Sequence, residues 1–232
     1  MVEWLIRGPM VWVAFLVFAG GLVWQGLLFF RSSRERPAPE PPPLPPEPKP
    51  AAKSKGLQGM VDRFSAWFDR HWARMRRTVL FTHPLMTTIT IVFHTFLFAA
   101  PLFAEAHNEL WRRAWGVGLP SLPFAAVDMM TLVVVLCGAV FLYRRFFVRR
   151  VRAITTPWDI VILAITVAPF LTGFLAAHHV GDYGTVVLVH IACGELMLMA
   201  IPFTKLGHML FFFLYRLLLP SEYSFGRGSR AW

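Results

Sequence analysis

Five long apolar stretches constrain this chain more than any other feature. They cover residues 9–30, 84–104, 122–143, 157–177 and 185–219. Each supplies at least the ~20 residues needed to cross a hydrocarbon core of ~30 Å. Lipid offers the main chain no hydrogen-bond partner, so runs of this kind must be helices. The sequence therefore predicts an all-α membrane protein, a five-helix transmembrane bundle in a lipid bilayer. Composition agrees: 56% of the 232 residues are hydrophobic and only 16% are charged. The first run has no small-residue cleavage pattern and reads as a retained helix, not a signal peptide.

The formal charge is +10. On a soluble domain that excess would raise nucleic acid as a partner, but here it falls in the loops. Lys and Arg number one before the first run, then eleven, two, five and none in the successive loops, and four from Lys205 onward. Loops rich in Lys and Arg stay in the cytoplasm. The N-terminus is thus expected outside and the C-terminus in the cytoplasm, in a multi-pass protein of a bacterial inner membrane, with no nucleic acid partner.

The loops subdivide the chain. Residues 1–30 form the first transmembrane helix and 31–58 a proline-rich cytoplasmic linker, whose segment 37–50 has the composition of an extended spacer. Over 59–78, Met60, Val61, Phe64, Trp67, Phe68, Trp72 and Met75 recur at helical spacing between charges. That pattern predicts a basic amphipathic helix on the cytoplasmic surface; docking of a partner subunit fits it equally. Residues 79–219 form the four-helix core, and 220–232 a cytoplasmic tail. Thr156-Pro157-Trp158-Asp159 carries a helix-start signature. Ser121 with Pro123 predicts a similar start for the third run, and Pro202 predicts a bend in the fifth.

Eight histidines carry the chemistry. Ionisable groups inside a membrane are costly, which makes them functional candidates. His83 and His94 are eleven residues apart on the second run, and His190 and His208 eighteen apart on the fifth. At ~100° per residue both pairs share a helix face. Two such helices suit the clamping of two b-type haems, each iron taking one imidazole from each helix. Antiparallel depth matching then joins His83 to His208 and His94 to His190. The axial rises, ~16 Å and ~27 Å, do not match, and helix tilt or the Pro202 bend must absorb the difference. Gly194 and Gly207, near His190 and His208, leave room for a large ring. Arg76, Arg77, Arg112, Arg113 and Lys205 are interfacial anchors that also suit haem propionates.

His107, His178, His179 and Glu105 gather at the outer ends of the second and fourth runs, beside Glu109 and Asp182. They are a candidate proton-exchanging patch for a quinone, or an ordinary solvated surface. Glu195 inside the fifth run is a candidate proton carrier or internal hydrogen-bond partner. Cys137 and Cys193 both fall in apolar runs, which argues against a structural disulfide.

This arrangement resembles the gamma subunit of respiratory nitrate reductase, with His83 and His94 in HPLMTTITIVFH and His190 and His208 in HIACGELMLMAIPFTKLGH. It is closer to the cytochrome b subunits of the sulfate reducers' transmembrane redox complexes, the high-molecular-weight cytochrome c complex and its relatives. The resemblance covers most of 79–219. It implies axial ligation of two haems b by those four histidines. It also implies electron transfer between a cytoplasmic iron–sulfur protein and either a periplasmic multihaem cytochrome c or a quinone such as menaquinone, alongside other membrane subunits. The long first loop departs from the nitrate reductase pattern. The alternative is a membrane anchor without redox chemistry, holding a cytoplasmic partner.

Overall fold

The computed structural model describes residues 2–34, 56–76 and 83–218. Among these the chain is helical, with no strand. The proline spacer over 37–50, Arg77 and the tail 220–232 lie outside the described residues.

Five helices are long and apolar enough to span a membrane: Val2–Ser32, Pro84–Phe103, Phe124–Phe147, Pro157–Ala177 and Tyr183–Phe203. The first is built from α1 (Val2–Leu5), a π-helical turn (Ile6–Met10) and α2 (Val11–Arg34). Pro9 sits in the π turn, where a residue lacking an N–H disturbs the regular ladder. α3 (Leu57–Arg76) is the amphipathic helix of the first loop. Its apolar side chains Met60, Phe64, Trp67 and Phe68 are exposed.

α4 (Pro84–Phe103) is the second span, α6 (Phe124–Phe147) the third and α8 (Pro157–Ala177) the fourth. The fifth comprises α9 (Tyr183–Ala200) and the turn after it. α4 packs on α6, α6 on α8, α8 on α9, and α9 on α2. The row curves so that α4 and α9 approach each other without a packed backbone interface. Phe93, Ala100, Val134, Cys137 and Phe170 form its buried core. Gly138 lets α6 and α8 close up, since a Cβ there would come within 2.6 Å of Val167. Small residues at such crossings are what permit tight packing in lipid. Leu16, Leu85 and Phe147 are among many large apolar side chains left exposed around the spans, as a lipid-facing surface requires. Cys137 and Cys193 are free thiols.

Local starts and stops follow the sequence in part. α8 begins with a full capping box: the Thr156 hydroxyl accepts from the Asp159 N–H, and the Asp159 carboxylate accepts from the Thr156 N–H at 2.9 Å. The third span differs from expectation. Its N-cap is Pro123, with no side-chain capping bond, and the Ser121 hydroxyl instead accepts from Asn108 Nδ2 at 3.2 Å. The fifth run is not one helix. It breaks at 201–204, around Pro202, passes through a 3-10 turn (Lys205–Gly207) and resumes as α10 (His208–Leu218). The second run breaks at Ala104 and continues as α5 (Glu105–Trp115). α5 is stopped by Gly116, whose φ of +72° is the left-handed conformation that glycine adopts without strain.

Lys205 Nζ reaches Asp159 Oδ1 at 2.6 Å, and Arg145 approaches the same carboxylate at 3.9 Å. The basic loop after α6 and the segment after α9 therefore share one end of the bundle, which the charge rule assigns to the cytoplasm. α5 and the α8–α9 turn lie at the other end.

Candidate functional site

A helix that stops inside a bundle leaves its last carbonyls without N–H partners. The break at Ala104 shows how this chain satisfies them. The Pro101 carbonyl accepts from His107 Nδ1 at 2.8 Å, the Leu102 carbonyl from Asn108 Nδ2 at 3.1 Å, and the Phe103 carbonyl from the Leu122 N–H at 3.0 Å. Asn108 is fully buried, and its Oδ1 also accepts from the Leu119 N–H at 2.9 Å. These bonds fold α5 back at a fixed angle and aim the His107 ring inward.

Three more histidines are held by the same device. His94 Nδ1 lies 2.7 Å from the Thr90 carbonyl, one turn back on α4. His208 Nδ1 lies 2.8 Å from the Lys205 carbonyl in the 3-10 turn. His190 Nδ1 lies 2.9 Å from the Pro169 carbonyl on α8, with the Thr172 hydroxyl at 3.3 Å. A carbonyl oxygen only accepts, so in all four rings Nδ1 carries the proton. In the neutral ring Nε2 then holds the lone pair, and it makes no hydrogen bond to the described residues. This is the tautomer of a metal-ligating imidazole with its outer nitrogen anchored to the protein.

The four rings form two pairs. His94 and His208 have ring centroids 5.9 Å apart with planes at 85°. His107 and His190 are 6.0 Å apart with planes at 3°. A metal–imidazole bond is about 2 Å long and the ring centroid lies about 1 Å behind its nitrogen, so two rings flanking one metal ion have centroids about 6 Å apart. Both pairs have that separation; the first joins α4 to α10 and the second joins α5 to α9. Gly173 makes space for one of them: a Cβ there would stand 3.0 Å from His190 Cε1. Gly194, one turn from His190, faces open space, with no atom within 4 Å of an added Cβ.

This pairing differs from the one expected. His83 is the exposed N-cap residue of α4, with no ring contact to His208 among the described residues. Its place beside His208 is taken by His94, and the place of His94 beside His190 is taken by His107. The shift also eases the mismatch in rise. His94 and His107 are thirteen residues apart, against eleven for His83 and His94. The ~27 Å assumed between His190 and His208 presupposed an unbroken helix. Gly207 is buried, and a Cβ there would meet the Ile201 carbonyl and the Phe211 ring at ordinary contact distance, so the space beside it is already filled by the chain.

The outer patch does not act as one group. His107 joins His190. His178 uses Nε2 to reach Asp128 on α6 at 2.8 Å. His179 sits in the turn at φ +52° with its ring against Tyr183. Glu105 pairs with Arg112, while Glu109 takes both Arg112 at 3.2 Å and Arg113 at 2.7 Å. Hydrogen bonds from Ser121 and then Arg112 hold the Glu105 carboxyl below its usual range. It is therefore ionised near neutral pH and poorly tuned to exchange protons there. The same pairs occupy Arg112 and Arg113 within α5. Glu195 is buried on α9 with Oε1 lacking a partner among the described residues. It lies within α9, seven residues before Pro202.

No family model matches the chain. It is 36% identical over 223 residues to a protein of Nitratidesulfovibrio vulgaris strain Hildenborough, covering 96% of this chain and 94% of that one. The designation of that protein, "Protein", states no activity. Similarity of this extent shows that the chain belongs to the same family as its Nitratidesulfovibrio relative.

Proposed function

We propose that the chain is a di-haem cytochrome b subunit of a respiratory redox complex, with His94 and His208 as one axial pair and His107 and His190 as the other. The observation that carries this reading is the shared tautomer of four rings in two pairs about 6 Å apart. Among the described residues no third His, Cys, Asp or Glu converges on either pair. Two imidazoles alone hold a simple metal ion weakly, whereas a macrocycle brings four equatorial donors and asks the protein for two. Bound haem would supply reversible one-electron transfer. The chain's own part is to fix each ring by its Nδ1 bond, to exclude water and to set the two pairs at different depths. The inner pair lies toward the basic end and the outer pair beside α5. That separation suits electron transfer across the membrane between a cytoplasmic iron–sulfur partner and either a periplasmic multihaem cytochrome c or the quinone pool.

Haem counting tests the assignment. Purified protein is expected to hold two haems b per chain. His107→Ala and His94→Ala are each expected to lower the count to one, and His83→Ala to leave two. Loss of a haem in His83→Ala together with retention of both in His107→Ala would overturn the new pairing. Purified protein without haem would overturn the function and leave the membrane-anchor alternative.

A further inference from the structure

The basic end of the bundle holds a cleft of about 310 Å³ between α6, α8 and the turn after α9. Phe141, Arg144, Arg145, Ile154, Asp159 and Lys205 are among its lining residues. The charges do not cancel. Asp159 is the single acid in the lining, and it is buried and already engaged. Oδ1 takes Lys205, while Oδ2 takes the N–H and hydroxyl of Thr156. Arg145 stands 3.9 Å from it, and Arg144 has no acidic partner among the described residues. Two guanidiniums thus face a cleft whose carboxylate is satisfied by a third cation. Arg149, Arg150 and Arg152 follow on α7 (Arg149–Arg152). A surplus of forked donors around an open cleft suits an oxyanion.

The surroundings of the cleft select the kind of anion. It lies where three spans end, at the level of the headgroups. Its rim is apolar, with Ile154 79% exposed and Phe146 and Phe147 also exposed beside the arginines. A soluble phosphate would gain nothing from that rim, whereas a phospholipid would lay its acyl chains against it. Basic pockets between transmembrane helices on the cytoplasmic side are suited to anionic headgroups. We infer that this cleft is a binding site for the phosphate headgroup of an anionic phospholipid of the inner leaflet, held by Arg144 and Arg145. The two arginines are distinct from the four paired histidines, although Lys205 of the same lining offers its carbonyl to His208 Nδ1.

The test is native mass spectrometry of the full-length protein, delipidated in detergent and titrated separately with phosphatidylglycerol, cardiolipin, phosphatidylcholine and inorganic phosphate. The anionic lipids are expected to add in preference to phosphatidylcholine, and phosphate alone to add weakly. The double variant Arg144→Gln/Arg145→Gln should weaken anionic-lipid binding by roughly tenfold or more, while Arg144→Lys/Arg145→Lys should keep most of it. A control removes equal charge outside the cleft, as Arg149→Gln/Arg150→Gln, and should bind like the parent. Each variant is first checked for helicity and monodispersity. Equal weakening by both Gln pairs would reduce the effect to general surface charge and overturn the site. So would phosphate binding as tight as the lipids. Unchanged lipid binding in Arg144→Gln/Arg145→Gln, with haem lost instead, would overturn it too and assign the arginines to propionates.

Discussion

A histidine's role in this protein is written in which of its nitrogens meets the backbone. His94, His107, His190 and His208 all commit Nδ1 to a carbonyl, whereas His178 spends Nε2 on Asp128. Three of the first four were legible from helical spacing on apolar runs. His107 was not, because a period of ~100° per residue holds only within one helix and the chain breaks at Ala104 between His94 and His107. The mismatch in rise between the two expected histidine pairs was the signal that could have found it. The ring angles give a prediction at this scale. Were the proposed haems bound, perpendicular imidazole planes would leave the two iron d orbitals that interact with the ring π systems nearly degenerate and would give a strongly anisotropic low-spin electron paramagnetic resonance signal. Parallel ones would give a rhombic signal. The pair at 85° should contribute the first and the pair at 3° the second. His94→Ala should then abolish the anisotropic signal alone. A second prediction concerns Gly173. In Gly173→Val the added atoms would press on the His190 ring, since even a Cβ stands 3.0 Å from Cε1. Haem content should fall toward one per chain, with the anisotropic signal retained.

At the scale of elements, the signals that survived from sequence to structure were chemical ones. The Thr156–Asp159 capping box and the Pro202 bend rest on particular donors and rings, and both are present. The Ser121 cap failed because a stronger claim on that hydroxyl, from Asn108 and Glu105, exists only once α5 has folded back. α5 itself was invisible as an apolar run, being polar along much of its length. Its position depends on Asn108. Asn108→Leu would leave buried carbonyl and N–H groups unpaired, at about 1–3 kcal/mol for each. Thermal denaturation should therefore show a large loss of stability, accompanied by weakened outer-haem retention. α5 is also expected to respond to acid. Glu105 and Glu109 have carboxyl groups held below their usual range, chiefly by Ser121 and Arg112 for the first and by Arg113 and Arg112 for the second. A depressed carboxyl contributes stability above its unfolded value, and the contribution disappears as pH falls through the folded one. Hydrogen exchange of the α5 amides should thus be flat from neutral pH down to about pH 5 and accelerate, after correction for intrinsic rates, below about pH 4. Acceleration beginning near pH 6.5 would point to histidine instead.

For the whole molecule, the first span carries none of the four histidines of the proposed haem site. The two ring pairs are carried by α4, α5, α9 and α10, and α8 supplies an anchoring carbonyl. α2 packs on α9, and its Phe29 ring also meets Phe211 and Tyr215 of α10. Its docking point is specific. Gly21 lies against Pro202, where a Cβ would come within 2.6 Å of Pro202 Cβ and Cγ, and Gln25 Nε2 donates to the Pro202 carbonyl at 2.9 Å. Pro202 cannot yield, because it is fully buried and its ring closes the bend that sets up the turn before His208. Apolar length made the first run legible as a span, but nothing in it named this seat, since the bend it fits exists only after the fifth run has broken. Gly21→Leu should therefore lift α2 from α9 and cost about 1–3 kcal/mol, the usual penalty of forcing volume into a packed contact. The expected outcome is divided. Unfolding in detergent shifts to lower temperature and protease gains access to the first span, yet the haem count stays at two and both low-spin signals persist. Loss of the inner haem in Gly21→Leu would show that the first span helps hold the Pro202 bend, making it part of the cofactor site and not an attachment to it.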